Sequence, residues 1–131
     1  MDGPTPQLLS AVYHVLHLRT PRTSARKAMM TFAELVGEIS RFPGVPHDLA
    51  PNDRRLHAAL AELTMTCRAH HLPSLAALVT CSGTREPSEA YYAAAHPHAI
   101  DAESRRTQWQ KEADDASLTL YPKRLIELAT V

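Results

Sequence analysis

A chain of 131 residues is long enough for one hydrophobic core and short for two. Hydrophobic residues at 44% and charged residues at 21% exclude wholesale disorder. Fourteen Lys and Arg balance fourteen Asp and Glu, so no global field draws in nucleic acid or an anionic membrane, and any basic surface must be local. One domain over residues 1–131 is expected, with residues 1–4 disordered. Aromatics at 5% leave the core to Leu, Val, Ile, Ala and Met.

The first element is a helix. Thr5 offers a capping hydroxyl, Pro6 stands at the first helical position, and Leu8, Leu9, Val12, Val15 and Leu16 repeat at helical spacing. Residues 19–27 hold Thr20-Pro21 and Thr23-Ser24 without periodicity and read as a polar loop. Arg19, Arg22, Arg26 and Lys27 make it either a solvated loop or a local cationic patch. Thr31 and Glu34 then form a capping box, followed by Phe32, Leu35, Val36 and Ile39 as the apolar stripe of a short helix that should stop before Pro43-Gly44.

Three prolines and a glycine in residues 42–51 mark a linker within one fold. Residues 52–71 read as a longer helix, with Leu56, Ala59, Leu60, Leu63 and Cys67 on one face and Pro73 ending it. Residues 75–80 are nearly all apolar and bounded by Pro73 and Ser82-Gly83, which predicts a strand buried on both faces. A second strand through Ala90, Tyr91 and Tyr92 would complete a short β-hairpin. Residues 99–118 read as a polar amphipathic helix around Ile100, Trp109 and Ala113. Leu120-Tyr121 and Leu125, Ile126 and Leu128 make a tail that packs back on the body. The fold class expected is α+β, mainly helical, with a short hairpin.

Chemistry is sparsely marked. Of eight histidines, His70 and His71 are adjacent and diverge on a helix, and His14 and His17 share a face without an acidic partner. His96 and His98 flank Pro97 in a turn. No metal site is assigned, although a histidine-metal hydrolase stands as a further alternative. Cys67 and Cys81 are too few for a disulfide scaffold, lack metal spacing, and are expected reduced. Cys67 falls in an apolar stripe, and Cys81 offers no nucleophile pattern. Glu112, Asp114 and Asp115 form an acidic cluster beside Lys111, and the mixed charges of residues 103–111 read as a solvated helix face. Four glycines form no phosphate loop, so no cofactor is expected. A basic start followed by an apolar run is absent, as is any run of roughly 18 apolar residues, so a cytoplasmic chain without membrane contact is expected.

The segment Met30 through Leu35, the helix after it, and Leu72-Pro73 through Val79 to Gly83 together resemble the C-terminal winged-helix domain of alkylguanine-DNA alkyltransferases. The resemblance covers about residues 8–92. It implies a winged-helix-like scaffold and DNA binding. The family's reactive proline-cysteine-histidine-arginine motif is missing: Leu75, Ala76 and Ala77 stand where the cysteine and its neighbours would be, and neither Cys67 nor Cys81 takes that place. The resemblance therefore implies a scaffold without alkyl transfer.

Two readings follow. In the first, the chain is a small non-enzymatic interaction protein of accessory, inhibitor or immunity type. It would bind another protein, or a second copy of itself, through Trp109, Tyr91, Tyr92 and Arg106, because aromatic residues and Arg dominate hot spots. By residue type Trp109 is more often a core anchor than an exposed contact. In the second, a DNA-binding helix over residues 52–71 presents Asn52, Arg54, Arg55 and Arg68 to the groove, while Arg22, Arg26 and Lys27 meet phosphates.

Overall fold

The computed structural model describes residues 5–21, 24–46 and 48–122. Among these, six helices and two short strands follow in order: α1 (Pro6–His17), α2 (Ala25–Ala28), β1 (Met30–Thr31), α3 (Phe32–Ile39), α4 (Arg54–Ala69), β2 (Val79–Thr80), α5 (Glu89–Ala95) and α6 (Ala102–Leu118). A 3-10 turn, Leu75–Leu78, leads into β2. The expectations for residues 1–4, for Arg22 and for the tail's Leu125, Ile126 and Leu128 lie outside the described residues.

The local signals set the helix starts. Thr5 accepts a hydrogen bond from the Leu8 N–H at 3.2 Å, with Pro6 opening α1. The box at α3 is complete: the Glu34 N–H donates to the Thr31 hydroxyl at 3.1 Å and the Thr31 N–H to the Glu34 carboxylate at 2.9 Å. α4 begins later than expected because Asp53 is the cap, accepting from the Arg55 N–H at 2.9 Å. Its end comes at His70, and His71 turns the chain away with φ of 58°.

α4 is the central element. Leu56, Ala59, Leu60, Leu63 and Cys67 are buried along it, packed against α1, α5 and the 3-10 turn. Each fully buried Leu stabilises the fold by roughly 1.5–3 kcal/mol over exposure. α6 lies across the 3-10 turn and α2, burying Trp109, Ala113 and Ala116. Beyond α6 the chain does pack back: the Tyr121 hydroxyl donates to the Pro73 carbonyl, and the Tyr13 hydroxyl to the Pro122 carbonyl, both at 2.6 Å.

The fold is α+β and mainly helical, as expected, but its strand pairing differs from the expected hairpin. β1 and β2 pair in parallel, Met30 opposite Val79 and Thr31 opposite Thr80, with α3 and α4 in the connection between them. Tyr91 and Tyr92 belong to α5 instead of a strand. Ser88 caps that helix, Glu89 sits in its first turn, and Ala90, Ala93, Ala94 and Ala95 favour helix. The strand expected over residues 75–80 shrinks to its last two residues. Ser74 accepts from the Ala76 N–H and starts a 3-10 turn, and Ala76-Ala77 fits a pleated sheet poorly. The expected loop over residues 19–27 contains α2, whose Ala25 and Ala28 are buried. None of the described helices is long and apolar enough to cross a membrane.

Candidate functional site

Three of the four residues expected at a protein interface are interior. Trp109, Tyr91 and Tyr92 are 6%, 3% and 5% exposed. The Trp109 indole donates to the Ala77 carbonyl at 2.8 Å, tying α6 to the 3-10 turn. Arg105 lies over the Tyr92 ring, 5.1 Å from its centroid. Only Arg106 reaches the surface, where it pairs with Glu86 at 3.4 Å. The correction has a packing cause: with so few aromatics in the chain, the large rings are needed inside.

The expected DNA set is divided between the two ends of α4. Asn52, Arg54 and Arg55 are exposed together at its start. Arg68 stands fourteen residues beyond Arg54, about 21 Å along the helix axis, and its guanidinium donates to the Ala95 carbonyl at the end of α5. Arg26 and Lys27 are exposed on α2, which packs against α6. Arg19 holds that segment in place by donating to the Ala28 carbonyl at 2.6 Å and the Met29 carbonyl at 3.0 Å.

At the start of α4 three segments meet on one edge. Thr31 and Thr80 are paired in parallel, so α3 begins and residues 81–86 depart at the same end of the strands. The Phe32 ring, first in α3, stacks on His57 in the first turn of α4, with centroids 4.6 Å apart. The segment after β2 closes on itself, the Cys81 N–H donating to the Glu86 carbonyl and the Arg85 N–H to the Cys81 carbonyl, each at 2.8 Å. Ser82, Gly83, Thr84 and Arg85 are exposed at its tip. Two acids temper this edge. Asp53 is held by Arg55 through the guanidinium and the backbone N–H, which bring its pKa down to about 2. The Thr31 backbone N–H and hydroxyl lower that of Glu34.

The other end of α4 borders a cleft of about 470 Å³, closed by α6 and the end of α5. Its wall is a hydrogen-bonded cluster. The Tyr91 hydroxyl donates to Oε1 of Glu112. His96 Nε2 lies 3.1 Å from the same oxygen and 2.9 Å from the hydroxyl. The Ser74 backbone N–H donates to Oε2 at 3.0 Å. A carboxylate only accepts, so the imidazole nitrogen facing it carries the proton. Burial lowers the His96 pKa and nearby Arg68 lowers it further, while the Glu112 charge opposes both. Burial, and then the Glu112 charge, raise that of Tyr91.

The sequence groups Glu112 with Asp114 and Asp115 as an acidic cluster without a role, yet its side chain is only 11% exposed. The signal was present: Glu112 shares the stripe of Trp109, Ala113 and Ala116, a carboxylate at the spacing of buried residues. His14 and His17 do share a face, with ring centroids 5.3 Å apart, next to Phe42. Among the described residues no group of three or more His, Cys, Asp or Glu is arranged to hold a metal ion. Cys67 is buried, which pushes its thiol pKa up to about 11.

Compared with protein-family models, curated proteins and solved structures, the chain matches none.

Proposed function

We propose that this chain is a DNA-binding module, winged-helix-like in its element order, that presents the start of α4 to the duplex and acts without a reaction of its own. One observation carries this reading: the first turn of α4, the start of α3 and the turn over residues 81–86 share an edge whose exposed side chains include Asn52, Arg54, Arg55 and Arg85. A helix start with forked cationic side chains suits phosphate and base edges, and a neighbouring turn can follow the backbone. Neutral net charge limits the attraction to this edge, so binding should be modest and strongly weakened by salt. Arg68 plays no part in the assignment.

The test is anisotropy of labelled duplex at about 50 mM and about 200 mM salt. Removing both cations with R54A/R55A should weaken binding and lower the salt slope by about one, because Asp53 already engages Arg55. Unchanged affinity in that variant, or no binding by the intact chain up to about 100 µM, rejects the reading. The second reading is a protein partner, favoured by Met65, which is 59% exposed in the second half of α4. Loss of a partner's binding in Met65→Glu, with DNA binding absent, would support it.

A further inference from the structure

We propose that the cleft between the end of α4 and α6 is a binding site for a small organic oxyanion, a ligand carrying a carboxylate or phosphate group. The site lies at the opposite end of α4 from the DNA edge and does not depend on it. A volume of about 470 Å³ suits a metabolite-sized ligand. Leu72 and Pro73 supply an apolar wall, and Arg68, His71, Gln108 and Lys111 supply donors around it.

The acids of the cleft are already engaged. Asp115 accepts from Lys111 at 2.9 Å, and both oxygens of Glu112 receive protein donors, from Tyr91 and His96 on one and Ser74 on the other. Arg68 spends one nitrogen on the Ala95 carbonyl and keeps the rest of its fork. An anion would therefore meet donors, with the nearest carboxylates satisfied from within.

His96 couples the site to protons. The groups facing its ring are Arg68 from α4, Tyr91 from α5 and Glu112 from α6, with His71, Lys111 and Asp115 at the mouth. In the empty cleft burial and Arg68 disfavour charge on the imidazole, whose Nε2 faces Glu112. When an anion enters, Nδ1 takes one proton from solvent and donates it to the anion, while Nε2–H remains on the carboxylate. Binding thus takes up one proton, and affinity falls as pH rises.

The test is histidine-ring NMR of the full chain, titrated with inorganic phosphate and, separately, with acetate, each against chloride at matched ionic strength. The expected result is a saturable shift of the His96 ring with either anion, or with one, which names the group the site prefers. Phosphate titrates in the same pH range, so the acetate arm reads the pH dependence alone. If acetate does not bind, sulfate, which does not titrate in this range, replaces it. K111A and R68Q should each weaken binding about tenfold. Lys111 is exposed, so K111A keeps the test valid should R68Q fail to fold. No shift beyond that of chloride at about 10 mM anion, or equal shifts in K111A, overturns the site. Displacement of the anion by duplex DNA would also overturn it, because the cleft would then belong to a nucleic-acid surface.

Discussion

Arg55 grips the carboxylate of Asp53 through two hydrogen bonds, Nε to Oδ1 at 3.0 Å and an Nη to Oδ2 at 2.7 Å, one residue before α4 begins. The same carboxylate caps the helix through the Arg55 N–H. One acid thus sets where α4 starts and occupies a cation that the DNA edge would use. Asp53→Asn separates the two roles, since Asn caps as well as Asp but does not hold a guanidinium as a charged pair. The expected outcome is a stability lowered by about 1 kcal/mol or less, the worth of a solvent-accessible pair, with tighter duplex binding and a salt slope steeper by about one. Weaker or unchanged binding would show that Arg55 does not meet phosphate.

The ends of α1 and α3 were legible because their signals are local. Thr5-Pro6 and the Thr31–Glu34 pair act within one turn of chain, and both appear as read. Residues 75–80 were not legible as a 3-10 turn: an all-apolar run has no period, and Ser74, which starts the turn, is itself buried by contacts distant in sequence. The cleft was half legible. Glu112 betrays itself by its place in the Trp109, Ala113, Ala116 stripe, whereas His96 enters the cluster through the turn after α5, whose path depends on Arg68 and α6.

Thr31→Ala should destabilise the chain by about 1 kcal/mol, the ordinary cost of losing such a cap. Glu34→Ala removes the reciprocal bond, and the two substitutions share one motif, so their sum should differ from the double variant. Urea denaturation of the four proteins gives the coupling. Strict additivity would mean that the two bonds act independently.

Trp109→Phe keeps most of the ring's volume but removes the indole N–H, leaving the Ala77 carbonyl without its donor. A loss of about 1–3 kcal/mol is expected, with DNA affinity unchanged. Because this is the only Trp in the chain and is buried, native fluorescence should be blue-shifted and should redden on unfolding. Red-shifted native emission would place the ring in solvent and reopen the protein-interface reading.

Native Cys67 should resist thiol reagents at neutral pH. It is fully buried, and burial holds its pKa at about 11, so almost none of it is the reactive thiolate. Cys81 is only half-buried at the end of β2. A disulfide exchange reagent should therefore count one thiol in the native protein and two in denaturant. Two fast thiols without denaturant would mean that α4 opens readily from the core.

His96 should give the chain a distinctive response to acid. Its folded pKa lies below the unfolded value of about 6.5, so between those two points the unfolded chain binds more protons than the folded one. Stability from this group is therefore complete above about pH 6.5 and is lost as pH falls toward the folded pKa. The lowered carboxylates, Asp53, Glu34, Glu89 and Asp101, act in the same direction but only below about pH 4.5. A decline that begins below about pH 6.5 and above the carboxylate range thus marks His96, and His96→Gln should flatten it. Saturating the cleft with a bound anion should flatten it as well, because the anion raises the folded pKa toward the unfolded one. An acid decline that survives His96→Gln would shift the cause to another group.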